Sequence, residues 1–513
     1  MNKQKINSFF TDNWKLILIV LLHLLITIPL SYFLNTWYDE ASTLITSSQT
    51  ISYAVHRSIQ FELQPPFYYI FLNVWRQADS SYFFARLLSI IFSSASIVIS
   101  FILIKKYLKI EKPEYVTLLI AINPFLIYYA TEIRPYTMLI FLSVTLIFLM
   151  YEIYLSDNKF IVARVLYILL SIISLHTQYY MGFILVGIGF SILIYGGWGK
   201  FRTYLIDMIL PMLSLVAVIP FLPGINTLIE ASSKVYKLNL TGLVEFFEVR
   251  ITTYLFALNY LPLKFSRYEI WLLLFLIVLF FLFSIKERIK EFIRVISFKE
   301  QTTLPVTIIV LLFFSIIAVM TGRGMLALRH TAVLFPPLVF TFVSFIYLTR
   351  KKKTLIFWFC LISALYLTAL INKFTPMAKE GDSIKVAKYL EANEENNELI
   401  FVPYNIIGWP LNVHYNGANT IVPLYDNLLS EQSRKKLLSE VNNKSEYAWW
   451  DCPYPDPTWD KILNQIIVSR EFINNNYVIL DKKYFKGIVL WQLKRKDNDT
   501  LKTQSHQSLM RTK

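Results

Sequence analysis

LILIVLLHLLITIPLSYFLNTWYDEAST, residues 16–43, decides how the rest of the chain is read. Leu16 to Leu34 form an apolar run close to the roughly 20 residues that a bilayer-spanning helix needs. Lys3 and Lys5 precede it and no small-residue cleavage site follows, so it reads as an uncleaved first span. Two adjacent carboxylates, Asp39 and Glu40, come a few residues later. Ionisable groups that close to hydrocarbon are costly and face a cavity or a partner. The pair therefore points to chemistry at the far end of the span.

Composition agrees. The 513 residues are 55% apolar and only 17% charged, with a mean hydropathy of +0.48. This is the profile of a polytopic membrane protein, not of a large soluble one. A net charge of +15 would suggest nucleic acid in a soluble protein. Here the basic residues set membrane topology, and no nucleic-acid partner is expected. The chain has no zinc-like cysteine spacing and no phosphate-cradling glycine loop. Cys360 lies in an apolar run and Cys452 in a polar one, which argues against a mutual disulfide. No internal repeat is present.

Further apolar runs lie near 82–104, 115–131, 136–155, 163–178, 180–196, 204–222, 269–285, 304–321, 331–349 and 354–371. With the first, they predict about eleven spans. PPFYYIFLNVW (65–75) is too short to cross. The stretch from Gly242 to Pro262 is interrupted by Glu245, Glu248 and Arg250. Both are expected as interfacial helices along the membrane surface. With the N-terminus inside, the basic clusters Lys105–Lys112, Lys159 with Arg164, Lys200 with Arg202, Lys286–Lys299 and Arg350–Lys353 all fall on the cytoplasmic side, as the positive-inside rule requires. Promoting either doubtful stretch alone would reverse the loops after it. Lys351 to Lys353 read as a topology signal, with an anionic-lipid site as the weaker alternative.

An odd number of spans sends the C-terminus outside. From about Asn372 the composition turns polar. Helices are predicted at 382–391 and 426–441, and strands at 398–403, 477–481 and 484–493. The expected architecture is a transmembrane module over 1–371 with a first outer loop at about 35–81. An extracytoplasmic α/β domain over 372–495 and a frayed tail over 496–513 complete it.

This topology gathers the unusual polar residues on one face. Asp39, Glu40 and Gln64 fall in the first outer loop. Glu132 and Arg134 fall in the turn after the third span, and His176, Gln178, Tyr179 and Tyr180 between the fifth and sixth. Arg323, Arg329 and His330 fall between the ninth and tenth. The chemistry indicated is acid/base work beside an anionic group at the outer leaflet.

The order of motifs carries a resemblance. The acidic pair is followed by ELQPPFYYIFLNVW, FFARLLSIIFSS, NPFLIYYATEIRPYTMLIF, LHTQYYMGFIL and GRGMLALRHTAVLFPPL. Over about residues 14–350 this resembles bacterial members of glycosyltransferase family 39. These group with protein O-mannosyltransferases and lipid A aminoarabinose transferases among the integral-membrane type C glycosyltransferases. The resemblance implies that fold, located in the bacterial cytoplasmic membrane. It implies a polyprenyl-phosphate-linked sugar as donor, an extracytoplasmic glycan, lipid or protein as acceptor, and inversion at the anomeric carbon.

It also implies roles. Asp39 matches the family's general base, which must reach the acceptor hydroxyl. Glu40 matches its acidic neighbour, for acceptor positioning or pKa tuning. Arg134, with Glu132 beside it, would clamp the leaving phosphate. Arg329, helped by Arg323, is the second phosphate candidate. His176, Tyr179 and His330 are further candidates. Gln64 stands where relatives often carry histidine or lysine. An amide can hydrogen-bond a phosphate but supplies no charge, which moves the contact onto Arg57, Arg86 or Arg134. A divalent metal is not indicated, since no carboxylate cluster is evident and arginines can stabilise a single leaving phosphate.

Plainer readings stand beside these. Asp39-Glu40 also fits a helix N-terminus, Glu132-Arg134 a turn ion pair, and Arg323 and Arg329 a headgroup anchor. For His176, donation to a neighbouring helix is preferred over catalysis. The rival functions are a polysaccharide ligase or polymerase with a polyprenyl-diphosphate donor, a polyprenyl-lipid transporter or flippase, and an inactive lipid-binding relative. Charges gathered at one face, without a repeat, count against transport.

Overall fold

The computed structural model describes residues 3–156, 161–216, 240–263, 266, 268–273, 275–276, 279, 302–321, 327–348, 352–375, 377–454 and 460–496. The chain divides into two compact units. One is Met1–Tyr32 with Thr46–Thr375, and the other is Phe33–Ile45 with Pro376–Lys513.

The first unit is helical. Among the described residues, Asn13–Phe33, Tyr82–Lys106, Tyr136–Leu155, Met181–Val216, Leu328–Tyr347 and Lys352–Phe374 are long and apolar enough to cross a membrane, and Ile161–Thr177 and Thr303–Val319 are shorter apolar helices. The protein is therefore a multi-pass membrane protein. The expected span at 269–285 and the end of the one at 204–222 lie largely outside the described residues. The runs at 180–196 and 204–222 belong to one helical stretch, Met181–Val216, broken at Gly197, whose φ of 77° favours glycine.

The run at 115–131 is two helices, Pro113–Ala121 and Pro124–Ala130. Asn123 caps the second: its Oδ1 accepts from the N–H groups of Phe125 at 2.9 Å and Leu126 at 3.4 Å. Pro124 takes the first helical position, where no N–H is needed. The Asn123 amide also donates to the Tyr254 carbonyl at 3.0 Å and the Tyr366 hydroxyl at 2.7 Å.

Lipid removes most of the hydrophobic drive for helix association, so small residues and polar contacts hold such bundles together. His23 is fully buried in the first helix. Its ring bonds the Ala121 carbonyl at 2.8 Å and the Ser93 hydroxyl at 2.9 Å, tying three helices. Gly187 lets Met181–Val216 approach Thr303–Thr321 so closely that a Cβ there would sit 2.9 Å from Val306 Cα. The expected interfacial segments are both helical, at Phe67–Trp75 and Leu240–Phe256. The second packs its charges inward, for Glu248 and Arg250 are buried.

The second unit carries a five-stranded sheet in the order β2-β1-β3-β5-β4. The strands are β1 Leu399–Val402, β2 Thr420–Pro423, β3 Tyr447–Pro453, β4 Tyr477–Phe485 and β5 Ile488–Arg495. β1 runs parallel to β2 and β3, while β5 is antiparallel to β3 and β4. β1 is LIFV, buried throughout, as suits a parallel strand covered on both faces. Alternate residues serve two cores. Leu399, Phe401, Trp450 and Cys452 enter one, and Ile400, Trp449 and Leu490 enter the other with Val386 and Leu390.

Helices Ser383–Asn393, Asn405–His414, Leu424–Leu428, Glu431–Asn443 and Asp460–Asn476 complete the unit. The predicted helix at 382–391 and the strands at 398–403 and 477–481 are present, while the strand predicted at 484–493 begins in the end of β4 and crosses the Lys486-Gly487 turn before becoming β5. The helix predicted at 426–441 is interrupted, with Ser430 capping its second part through the Ser433 N–H. The central strand β3, strand β2 and helices Asn405–His414 and Asp460–Asn476 were not anticipated. The two cysteines are not joined in a disulfide, Cys360 being exposed and Cys452 buried.

Candidate active site

In the first unit Arg134 sits in a buried charged and aromatic cluster. The short helix Pro124–Ala130 ends in a turn closed by the Thr131 hydroxyl, which donates to the Tyr128 carbonyl at 2.8 Å. Arg134 leaves that turn, and its Nη1 donates to Glu62 Oε2 at 2.9 Å. Both side chains are nearly buried, at 10% and 6% exposure. Glu62 Oε1 also accepts from the Thr46 hydroxyl at 3.1 Å, and Oε2 from the Tyr69 hydroxyl at 3.3 Å. The carboxylate opposite Arg134 thus comes from the first loop. Glu132 is fully buried, and its carbonyl accepts from the Ser89 hydroxyl at 2.5 Å.

Tyrosines line this cluster. Tyr129 meets Tyr136 at 4.9 Å, and Tyr128 stacks on Tyr260 at 6.3 Å between ring centres. Lys373 Nζ lies 4.5 Å from the Tyr128 ring and 5.9 Å from that of Tyr260, within cation–π range. Arg250 is 5% exposed, with its guanidinium carbon 4.8 Å over the Phe246 ring. The Tyr254 hydroxyl, one turn on, shares a 2.7 Å hydrogen bond with the Thr331 hydroxyl. Thr331 belongs to the Leu328–Leu334 3-10 helix, which also carries Arg329 and His330, both half-buried.

Other expected residues are placed differently. Arg86 is fully buried; it donates to the Ser31 carbonyl at 2.8 Å and lies 5.3 Å over the Tyr82 ring. Gln64 is half-buried after Leu63, whose φ is +52°, and its N–H donates to the Ser58 carbonyl at 3.0 Å. Arg57 lies 4.2 Å over the Phe61 ring. His176 Nε2 meets the Ser214 hydroxyl at 3.1 Å, the helix-to-helix contact preferred for it. Tyr179 is exposed. Arg323 lies outside the described residues.

Asp39 and Glu40 belong to the second unit. They occupy the first turn of the helix Tyr38–Thr46, where the unsatisfied N–H groups favour negative charge. Asp39 is half-buried, and its carbonyl accepts from the Thr43 hydroxyl at 2.9 Å. Glu40 is fully buried and pairs with Lys379 at 2.9 Å, the two side chains 0% and 1% exposed. Asn35 Oδ1 accepts from the Lys379 N–H at 2.8 Å, and its amide donates to the Gly381 carbonyl. The Thr36 N–H donates to His414 Nε2 at 2.9 Å. An N–H can only donate, so His414 holds that nitrogen unprotonated.

Glu62, Arg250, Lys373, Lys379 and His414 were not singled out from the sequence. Charge within an apolar run was a usable signal for Arg250. Nothing local marks Lys379 as the partner of Glu40.

No protein-family model and no curated protein matches the chain. Among solved structures, ArnT from Cupriavidus metallidurans bound to undecaprenyl phosphate is similar at a TM-score of 0.58 and 12% identity, over 94% of this chain and 98% of ArnT. The apo form of the same ArnT gives 0.55 at 11% identity, with the same coverage. The chain has the type C glycosyltransferase fold. The likeness runs through both units, so the sheet-bearing C-terminal part is included in it. Within this fold Glu40 and Arg134 are each held in a buried ion pair, with Lys379 and Glu62 respectively.

Proposed function

We propose that this protein is a membrane glycosyltransferase. It moves a sugar from a polyprenyl-phosphate donor to an acceptor hydroxyl outside the cytoplasm, on a protein, glycolipid or envelope glycan. The observation that carries the reading is the fold shared along nearly the whole chain with an ArnT structure bound to undecaprenyl phosphate. The acidic pair in the first turn of the Tyr38–Thr46 helix and the buried Arg134–Glu62 pair support it. Positive-inside counting supports an N-terminus in the cytoplasm and a C-terminal domain outside, in the bacterial inner membrane.

In the proposed reaction Asp39 takes the proton of the acceptor hydroxyl, whose oxygen attacks the anomeric carbon. The bond from that carbon to the phosphate oxygen breaks, and polyprenyl phosphate leaves with the electron pair. Arg134, with Arg329 and Arg323 as second candidates, stabilises the charge on the leaving phosphate. A guanidinium carries five donors, so pairing with Glu62 is compatible with holding a second anion. Direct attack from the face opposite the phosphate inverts the anomeric centre.

Mass spectrometry of envelope glycans and glycoproteins from cells with and without the protein tests this reading. Loss of one sugar from one acceptor class, restored by wild type and not by Asp39→Asn, is the expected result. Identical glycan profiles in the two strains would overturn it.

A further inference from the structure

We propose that Lys379 is a positioning residue for the acidic pair, and that the C-terminal domain is thereby a working part of the transfer site. This rests on the reading of Asp39 as base. Glu40 cannot meet an acceptor directly in this arrangement, because it is fully buried and bound to Lys379 at 2.9 Å. Its role is to anchor the helix whose first turn carries Asp39.

Three further contacts fix the approach to that helix. Asn35 bridges the Lys379 N–H and the Gly381 carbonyl. The Thr36 N–H and hydroxyl both meet His414 Nε2, at 2.9 and 3.0 Å. The Ser383 hydroxyl donates to the Thr36 carbonyl at 3.3 Å. Residues 35, 36 and 40 are thus each tied to the 379–414 region, while Asp39 alone of the acidic pair keeps partial exposure. A buried ion pair is a poor source of stability but a stringent one of geometry, since breaking one partner leaves the other charge uncompensated. A general base must be held within hydrogen-bond reach of its proton, and small misplacements are expensive in rate.

The test compares Lys379→Met, Lys379→Arg and Asp39→Asn in the full-length protein. Two quantities are read: the envelope product restored in cells lacking the protein, and binding of undecaprenyl phosphate to the purified protein. Lys379→Met should lower transfer roughly tenfold or more while lipid binding stays within about twofold, because position and not affinity is lost. Lys379→Arg should restore most of the transfer, since it keeps the charge. If Lys379→Met does not fold, Glu40→Gln/Lys379→Met replaces it. That pair leaves no buried charge unmatched, and the same split is expected.

Folded Lys379→Met with wild-type transfer overturns the positioning role. So does a loss of lipid binding in proportion to transfer, which would mark general disruption. Asp39→Asn separates the two ideas: if it transfers normally, the base reading fails whatever Lys379 does.

Discussion

Arg134 donates to Glu62 across 72 residues of chain, at 2.9 Å and almost out of solvent. The pair joins the first loop to the turn before the Tyr136–Met150 helix. Removing one partner of a buried pair typically costs about 3–5 kcal/mol, so stability and donor binding must be separated. Arg134→Ala should weaken undecaprenyl-phosphate binding more than it weakens acceptor use. Glu62→Gln keeps a hydrogen-bond acceptor for Arg134 and should retain lipid binding. Titration of both variants with the lipid checks this, and equal affinity for Arg134→Ala and wild type would remove Arg134 from the phosphate site.

Asp39→Asn should abolish transfer while expression, membrane insertion and detergent stability stay as in wild type. The side chain keeps its size and loses only its capacity as a base, and general-base catalysis is worth about 100-fold to 10,000-fold. Product formation in a complemented strain, beside size-exclusion profiles of both proteins, gives the answer.

Asp451 in β3 should tie the stability of the C-terminal domain to pH. It is 2% exposed, and Oδ1 has no hydrogen-bond partner among the described residues. Burial raises its pKa from 3.8 to about 7. Between those values the folded state keeps a proton that the unfolded state has lost, so stability falls as pH rises from about 4 to about 7. The span of roughly three units corresponds to a few kcal/mol. Asp451→Asn should flatten this dependence and slow hydrogen exchange of the β3 and β5 amides at neutral pH. Exchange measured at pH 5 and pH 7.5, corrected for intrinsic rates, reads it in the intact protein.

Gly187→Val should destabilise the helical unit. Even a Cβ would meet the Val306 backbone at 2.9 and 3.1 Å, where no flexible side chain can yield. Forced overpacking of this kind costs roughly 1–3 kcal/mol. Gly182→Ala is the control, because its Cβ would meet only Leu175 Cδ2 at an ordinary 3.8 Å. A lower melting temperature for Gly187→Val alone is the expected outcome.

The legible part of the molecule was what lipid and local order enforce. Hydropathy found the long helices, and the ordered motifs led from Asp39 and Arg134 to the fold. Asn123-Pro124 is a plain cap-and-first-turn signature, yet a hydropathy window bridges it because both flanks are apolar. Arg250 looked like a reason to keep its helix at the surface. In the folded unit it is buried over Phe246, one turn earlier on the same helix, an i,i+4 pairing that the spacing permits but hydropathy does not read. β3 was missed because its aromatic run is short and contains a carboxylate, which only the two-sided core of the sheet explains. The partners Glu62 and Lys379 were hidden for a simpler reason: each depends on a contact over a long stretch of chain.

The ion pair of Glu40 and Lys379 has a consequence in time. Glu40 is made 339 residues before its counter-charge. At about 5–20 residues per second, ribosomes need roughly 20–70 seconds to cover that interval. During it the Glu40 carboxylate awaits its cation. A chain that stops short of residue 379 cannot form this pair, so Glu40 would stay without the Lys379 charge that matches it in the folded unit.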